Sequence, residues 1–228
     1  MVPPIKPRHY SISSSMKMCP NSVHLLVVLV DWVTPKGRQR YGQCTRYLAG
    51  LNPEADGDIY LNVDIKPSAM HLPPSPKQPI IMAGLGTGMA PFRAFIQERM
   101  WQRQQGIEVG PVLLYFGSRH RHEEYLYGDF LDAMYEDKLV TRLGLAFSRD
   151  QPQKIYIQHK ITEDKKDIVR HLYKEEGHFY LCGPTWPVPD IRQAIADGLV
   201  AEAGMSEEQV DEFLDMLKEN GRYVLEVY

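Results

Sequence analysis

Cysteine is scarce in this sequence: three residues in 228, at positions 19, 44 and 182, too few and too far apart for a disulfide framework. A reducing compartment, the cytoplasm, is the expected setting. A surplus of one charge is missing as well. The 26 lysines and arginines against 29 aspartates and glutamates leave a net −3, which excludes the basic footprint of a nucleic-acid binder. No apolar run approaches the roughly 18 residues that a membrane span needs. The longest, Val23 to Val30, has the length of a strand. The start carries no signal-peptide pattern, and the sequence has no internal repeat and no Ser-His-Asp arrangement. His120 and His122 flank Arg121, but two histidines around a cation with no third ligand do not make a metal site. What is left is an ordinary globular chain, long enough for one large domain or two small ones.

The most informative stretch runs from Ile80 to Phe95. Ile80–Ala83 is apolar and has the length of a buried strand; Gly84, Gly86 and Gly88 follow at once. Pro91 then opens a segment with apolar residues at Phe92, Phe95, Ile96 and Met100, which is helical spacing. Strand, glycine loop and helix form the arrangement that binds a diphosphate, because glycines let backbone approach the phosphates and the helix start offers free N–H groups. Pro91 suits the first turn, where its missing N–H has no partner to lose. The spacing departs from the usual G-x-G-x-x-G, since Met89 stands where the third glycine of that fingerprint falls.

Upstream, Arg8–Ser15 reads as a strand with Arg8, Tyr10 and Ile12 on one face, a pairing suited to a flat aromatic ligand carrying phosphate. Val23–Val30 reads as a second strand buried on both faces, and Asp58–Lys66 as a third, half-exposed one. Between them Gly42, Cys44 and Thr45 precede a short helix over 46–51 that Thr45 can cap, a second possible anion site. Residues 67–79 hold Pro67, Pro73, Pro74, Pro76 and Pro79 and can be neither helix nor central strand. They mark a connector between a domain over 1–66 and another over 80–228. In the second, strands are expected at Ile80–Ala83, Val112–Phe116, Arg142–Phe147, Phe179–Cys182 and Tyr223–Val227. Helices are expected near 91–105, 123–135, 161–173, 190–203 and 206–220, the last opened by a Ser206/Gln209 capping box. Such alternation predicts an α/β fold, a doubly wound five-stranded parallel sheet with helices on both faces.

Ligands of such sheets sit at the C-terminal strand ends. The second strand here ends in Ser118-Arg119 and the third in Ser148-Arg149, with Lys154, Tyr156 and Gln158 alternating shortly after. An NAD site usually offers a carboxylate to the ribose hydroxyls, and neither strand end has one. A hydroxyl with a guanidinium suits a 2′-phosphate, so NADP is favoured. Cys182 and Gly183 end the fourth strand and leave room for a flat ring.

These motifs in this order, from Arg8-x-Tyr10-Ser11 through Gly84-x-Gly86-Thr87-Gly88-x-Ala90-Pro91-Phe92, Tyr115-Phe116-Gly117-Ser118-Arg119, Glu124-Tyr125-Leu126-Tyr127, Ala146-Phe147-Ser148-Arg149 and Tyr180-Leu181-Cys182-Gly183, resemble the FAD/NADPH half of the diflavin reductases. That family includes sulfite reductase flavoproteins and cytochrome P-450 reductases. The Cys182–Asp190 stretch is most similar to the eukaryotic sulfite reductase branch, and Pro184 departs from the aspartate of the P-450 reductase branch. The resemblance implies a ferredoxin–NADP reductase-type sheet preceded by part of an antiparallel β-barrel, the cofactors FAD and NADPH, and hydride transfer between them. It implies contacts to FAD from Arg8, Tyr10 and Ser11, with Gly42, Cys44 and Thr45 at its pyrophosphate. Gly86, Thr87 and Gly88 would face the NADPH pyrophosphate. Ser118, Arg119, Ser148, Arg149, Lys154, Tyr156 and Gln158 would take the adenosine end. Catalytic roles fall to Ser11, Cys182, Glu226 and Tyr228, the last stacked on the flavin. Relatives carry further barrel strands and an FMN domain upstream, so the chain is expected to be the C-terminal part of a longer polypeptide, handing electrons to FMN and an acceptor protein. The competing expectations are a non-catalytic NADPH-binding fragment that has lost FAD, and the reductase module of a cytochrome P-450 reductase-type enzyme.

Overall fold

A computed structural model describes residues 5–228. The first part of the chain contributes β1 (Asp31–Val33), β2 (Gln39–Tyr41), α1 (Gln43–Ala49) and α2 (Pro53–Asp56). From residue 80 follow β3 (Ile80–Leu85), α3 (Met89–Gln104), β4 (Val112–Ser118), α4 (Arg121–Glu124), α5 (Gly128–Glu136) and β5 (Arg142–Phe147). The chain continues through α6 (Ile157–Glu163), α7 (Lys165–Val169), β6 (His178–Gly183), α8 (Val188–Ala203), α9 (Glu207–Glu219) and β7 (Tyr223–Val227).

β3 to β7 form one parallel sheet in the order β5-β4-β3-β6-β7. Period-two alternation divides its side chains between two cores. Ile81, Ala83, Leu113, Tyr115, Phe179 and Leu181 point to α6–α9. Ile80, Met82, Leu114, Phe116 and Tyr180 point to α3 and α5. Burial on both faces explains why these strands read as continuous apolar runs. Leu181 is fully buried in the central strand pair, and replacing it by alanine would cost about 2–5 kcal/mol. α9 starts where its capping box predicts: Ser206 Oγ accepts from Gln209 N–H at 3.2 Å, and Gln209 Oε1 accepts from Ser206 N–H at 2.9 Å. Its Val210, Leu214 and Leu217 lie on one buried face.

The second half thus has the expected strands, each within two residues of its expected bounds. Two helical segments are broken. Expected 123–135 is divided into α4 and α5 by Tyr127, at φ 59°. Expected 161–173 becomes α6, α7 and a π-turn at Arg170–Lys174, beginning four residues earlier than expected. The first half differs more. Arg8–Ser15 and Val23–Val30 are not paired strands; they meet in a single antiparallel bridge, Ile12 to Leu25. Asp58–Lys66 is extended chain without a ladder. Val28, Leu29, Val63 and Ile65 are half or more exposed in consequence. Alternation records which side of a strand is apolar, but a ladder needs a neighbour to receive its N–H groups. The antiparallel sheet of the described residues is limited to β1 and β2. Thr45 also differs from its expected capping role: Gly42 is the N-cap of α1, and Thr45 lies inside the first turn.

Candidate functional site

The order β5-β4-β3-β6-β7 reverses direction of progression between β3 and β6, which opens a crevice at their C-terminal ends. Backbone packs tightly there. A Cβ on Gly88 would lie 1.9 Å from the carbonyl oxygen of Cys182, and one on Gly183 would lie 2.8 Å from Leu85 Cβ. Gly86 meets nothing within 4 Å but sits at φ +55°, a conformation that only glycine adopts freely. The loop therefore needs Gly86 for its turn and Gly88 for its approach to β6. Both lead into α3, with Gly88 as its N-cap, and the 16 residues of that helix direct their positive end at the crevice.

On the β4–β5 side the ladder extends past the strands: Ser148 N–H donates to the Ser118 carbonyl and Arg149 N–H to that of Arg119. α6 closes over the end of β4 because Gly117 lacks a Cβ; one there would lie 2.6 Å from Ile157 Cγ2. This brings Ser118, Ser148, Arg149, Tyr156 and Gln158 to one corner. Ser118 Oγ is buried with no partner among the described residues. Arg149 and Lys154 form no ion pair among the described residues, whereas Arg119 is clamped by Glu124, which accepts from its backbone N–H at 2.8 Å and from Nε at 2.7 Å. The expected shared face of Lys154, Tyr156 and Gln158 is not there. Tyr156 is the N-cap of α6 and Gln158 lies in its first turn, so period two gives way to helix. Gln158 Nε2 donates to Asp190 at 3.3 Å and its Oε1 is buried without a partner.

On the β6–β7 side Cys182 stands opposite Glu226 in the ladder. Burial, and then the Glu226 charge, push the Cys182 thiol up to about 12, so it keeps its proton at neutral pH. Ser11 Oγ reaches Glu226 Oε1 at 3.5 Å, and Ser68 Oγ donates to Glu226 Oε2 at 2.9 Å. Ser68 was not legible as a site residue, because it sits among the prolines of the connector. Tyr228 donates its N–H to the Gly183 carbonyl, and its hydroxyl lies 2.7 Å from Thr87 Oγ1 in the glycine loop. The final aromatic is thereby tied to the crevice with two-thirds of its surface exposed.

The first part of the chain forms the opposite wall. Arg93 of α3 donates to the Ser13 carbonyl at 2.6 Å, and Tyr127 donates to Ser13 Oγ at 3.2 Å. Ser15 N–H and Oγ meet Gln97 and Glu98. α3 thus carries both the glycine loop and the segment holding Arg8, Tyr10 and Ser11. Burial, and then a hydrogen bond with Cys44, push the Tyr10 phenol up to about 12. An open concavity of about 870 Å³ beside the start of α1 is lined by Gly42 along with Arg40, Tyr41 and Arg46. Arg46 lies 4.4 Å over the Tyr41 ring. Neither arginine was singled out from the sequence, although both flank Gly42-x-Cys44-Thr45. No group of three or more metal-ligating side chains occurs among the described residues.

A pyridine dinucleotide fits the crevice: the Gly88–Cys182 approach leaves backbone for a diphosphate, and the unpaired Ser118 hydroxyl awaits a polar group. A flavin dinucleotide fits the opposite wall, where two arginines and Gly42 surround a concavity at a helix start. The comparisons agree. Residues 1–47 match the FAD binding domain and residues 82–192 the oxidoreductase NAD-binding domain. The chain is 54% identical over 230 residues to the sulfite reductase (NADPH) flavoprotein component of Saccharomyces cerevisiae. It is 51% identical to the probable counterpart of Schizosaccharomyces pombe. Each alignment takes in 100% of this chain and 22% of the relative. The NADPH–cytochrome P450 reductase of Bos taurus is 39% identical over 231 residues, covering 100% of this chain and 34% of that protein. The chain therefore spans between 22% and 34% of the length of these relatives.

Proposed function

Since the chain belongs to the FAD- and NADPH-binding half of the diflavin reductases, we propose that it binds NADPH in the β3–β6 crevice and positions the nicotinamide for hydride transfer to FAD. The observation that carries this reading is convergence. The diphosphate cradle at Gly88, the protonated Cys182 thiol and the Ser11–Glu226–Ser68 group lie at the ends of three adjacent strands and the segment packed on them. FAD, when bound, supplies the electron-accepting ring system; the protein supplies position and electrostatics.

Ser148, Arg149 and Lys154 hold the 2′-phosphate, Arg149 and Lys154 being the cations with no carboxylate partner among the described residues. Arg119, held by Glu124, shapes that corner and is not free to grip phosphate. Gly86–Gly88 take the pyrophosphate on backbone N–H groups. Cys182 and Gly183 leave a flat slot for nicotinamide. Glu226 orients the Ser11 hydroxyl at the slot, and Tyr228 covers it until nucleotide displaces the ring. Arg8, Tyr10, Gly42, Cys44 and Thr45 hold FAD, joined by Arg40 and Arg46. In this reading residues 1–66 are part of the flavin-binding unit, 67–79 the connector and 80–228 the nucleotide-binding unit. Electrons would continue to FMN in another domain of a longer polypeptide and to an acceptor protein such as sulfite reductase. The free thiols fit a cytoplasmic setting; among the described residues no helix is long and apolar enough to cross a membrane.

A second reading, NADPH binding without flavin chemistry, is favoured by one feature. The apolar side chains of Tyr60, Val63 and Ile65 in the flavin half stand more than 70% exposed. A flavin spectrum of the chain mixed with FAD, followed by NADPH oxidation with ferricyanide, separates the two. Bound flavin and ferricyanide reduction are expected. NADP⁺ binding without either would establish the second reading, and absence of NADP⁺ binding would overturn both.

A further inference from the structure

The connector over 67–79 is strapped along the sheet rather than looped away from it. Pro67 and the Pro73-Pro74 pair restrict its backbone. Met70 is buried in the core that faces α3 and α5, and Leu72 packs against the same core. Tyr180, in the middle of β6, donates its hydroxyl to the His71 carbonyl at 2.6 Å. Gln78 Nε2 donates to the Glu176 carbonyl at 3.2 Å, just before β6. At the other end of the strap Ser68 reaches the last strand, where its Oγ donates to Glu226 Oε2 at 2.9 Å. The direction of that bond is fixed locally. Met70 N–H donates to Ser68 Oγ at 2.9 Å, which leaves the hydroxyl proton for the carboxylate, an acceptor only. Ser68 is exposed, and an exposed serine ordinarily spends its hydroxyl on water. This one is aimed at Glu226 by the anchored chain behind it.

Glu226 shares a sheet face with Val224 and stands opposite Cys182 in the ladder. The last torsion of a glutamate is broad, so a carboxylate held at neither oxygen has no preferred direction. With Oε2 taken by Ser68, Oε1 is left to Ser11, whose hydroxyl lies 3.5 Å away. That separation is too long for Ser11 to hold the carboxylate alone. We propose that Ser68 is the positioning residue for Glu226: by holding one carboxylate oxygen, the connector presents the other to Ser11 and the nicotinamide slot. This rests on the NADPH reading above and adds to it a residue that acts through Glu226 rather than on the nucleotide. The distinction is measurable. A residue that grips nucleotide changes affinity, whereas one that aims Glu226 changes the rate of hydride transfer at constant affinity.

The test uses the full chain and the variants Ser68→Ala, Ser68→Thr and Glu226→Ala. Without any cofactor, urea unfolding of Ser68→Ala in the wild-type and Glu226→Ala backgrounds forms a double-mutant cycle. Ser68→Ala should destabilise the first more than the second, and equal losses would overturn the Ser68–Glu226 bond. With FAD reconstituted, kcat for NADPH oxidation by ferricyanide should fall about tenfold in Ser68→Ala, the lower end for a hydrogen bond to a charged group. The Kd for NADP⁺ should not change. Ser68→Thr, which keeps the hydroxyl, should restore the rate, and Ser68→Ala should cost nothing further once Glu226 is alanine. An unchanged kcat in Ser68→Ala, a loss that threonine does not restore, or an equal loss of NADP⁺ affinity would overturn the positioning role while leaving the NADPH site standing. A wild-type chain that binds both cofactors and reduces no ferricyanide would overturn the hydride-transfer reading and the role of Ser68 together.

Discussion

Gly88→Ala sets two physical effects against each other, and the geometry decides between them. Gly88 lies at φ −59°, ψ −8°, an ordinary right-handed conformation. Judged on backbone alone, alanine should stabilise the chain by about 0.5–1 kcal/mol, since it loses less entropy on folding. Packing opposes this. The new Cβ would lie 1.9 Å from the Cys182 carbonyl oxygen, 2.4 Å from its carbon and 3.0 Å from Gly183 N. All three are backbone atoms at the end of a central strand, hydrogen-bonded on both sides, so no rotamer change relieves the contact. The loop or the strand must move by more than an ångström. Overpacking of this kind costs about 1–3 kcal/mol where side chains can adjust, and more where they cannot. The net expectation is a loss of roughly 3 kcal/mol. Gly86→Ala is the control. Its Cβ meets nothing, and the φ of +55° costs about 1–2 kcal/mol. Urea unfolding of both variants, with the m-value checked for constancy, and NADP⁺ titration of each provide the comparison. Gly88→Ala should be the less stable and should lose NADP⁺ binding by more than tenfold. A Gly88→Ala protein as stable as wild type, or more so, would refute the close approach of the loop to β6 and the diphosphate cradle built on it.

Arg149→Ala should weaken NADP⁺ binding at least tenfold and leave NAD⁺ almost untouched, since a charge-assisted hydrogen bond is worth about 1.5–3 kcal/mol; equal losses for both nucleotides would remove it from the 2′-phosphate site. His178 gives a pH dependence. Burial first, then the charges of Arg222 and Arg99, push its pKa down from 6.5 to about 4. The folded chain therefore keeps it neutral where the unfolded chain protonates it. The stability this provides is complete above pH ~6.5 and is lost as pH falls towards ~4, by about 3 kcal/mol in all. In His178→Phe the slope of stability between those limits should flatten, and an unchanged slope would exonerate the histidine. Tyr228→Ser removes both the ring over the crevice and the hydroxyl bonded to Thr87. With FAD reconstituted, kcat/KM for NADH should rise relative to that for NADPH, because NADH has no 2′-phosphate anchor with which to displace the ring; a constant ratio would show that Tyr228 does not gate the slot.

How much of this was legible in the sequence depends on where each element finds its partners. Strands β3 to β7 lie in a sheet completed within residues 80–228, and burial on both faces writes them as uninterrupted apolar runs such as Val112-Leu113-Leu114-Tyr115-Phe116. The glycine loop was legible for a related reason: Gly86 and Gly88 answer constraints set within a few residues and by one neighbouring strand. The segments 8–15, 23–30 and 58–66 alternate as strands do, yet alternation is silent about whether another strand lies alongside. Tyr156 shows the limit of period two itself. Lys154, Tyr156 and Gln158 alternate, but Tyr156 caps a helix and Gln158 lies in its first turn, half-buried.

Several side chains at the crevice left no signal because their roles exist only across the seam between the two parts of the chain. Arg93 is one of many surface-type residues in a helix by sequence, yet it donates to the Ser13 carbonyl and lies 4.7 Å over the Tyr127 ring. Ser68 is a small residue between Pro67 and Ala69, yet it orients Glu226 from the side opposite Ser11. Both act on Ser11 from a distance in sequence: Arg93 fixes the backbone two residues away, and Ser68 fixes the carboxylate that its hydroxyl addresses. The consequence is that α3 couples the two ligands of the proposed reaction. One end of the helix would carry the proposed cradle for nucleotide, and on its first three turns Arg93, Gln97 and Glu98 hold Ser13 and Ser15, next to the residues proposed for flavin. A shift of α3 moves both sites together, which keeps the distance between them set by a single rigid element rather than by two loops. That is the arrangement a hydride transfer needs, since its rate depends on the separation of two bound rings more than on the affinity of either.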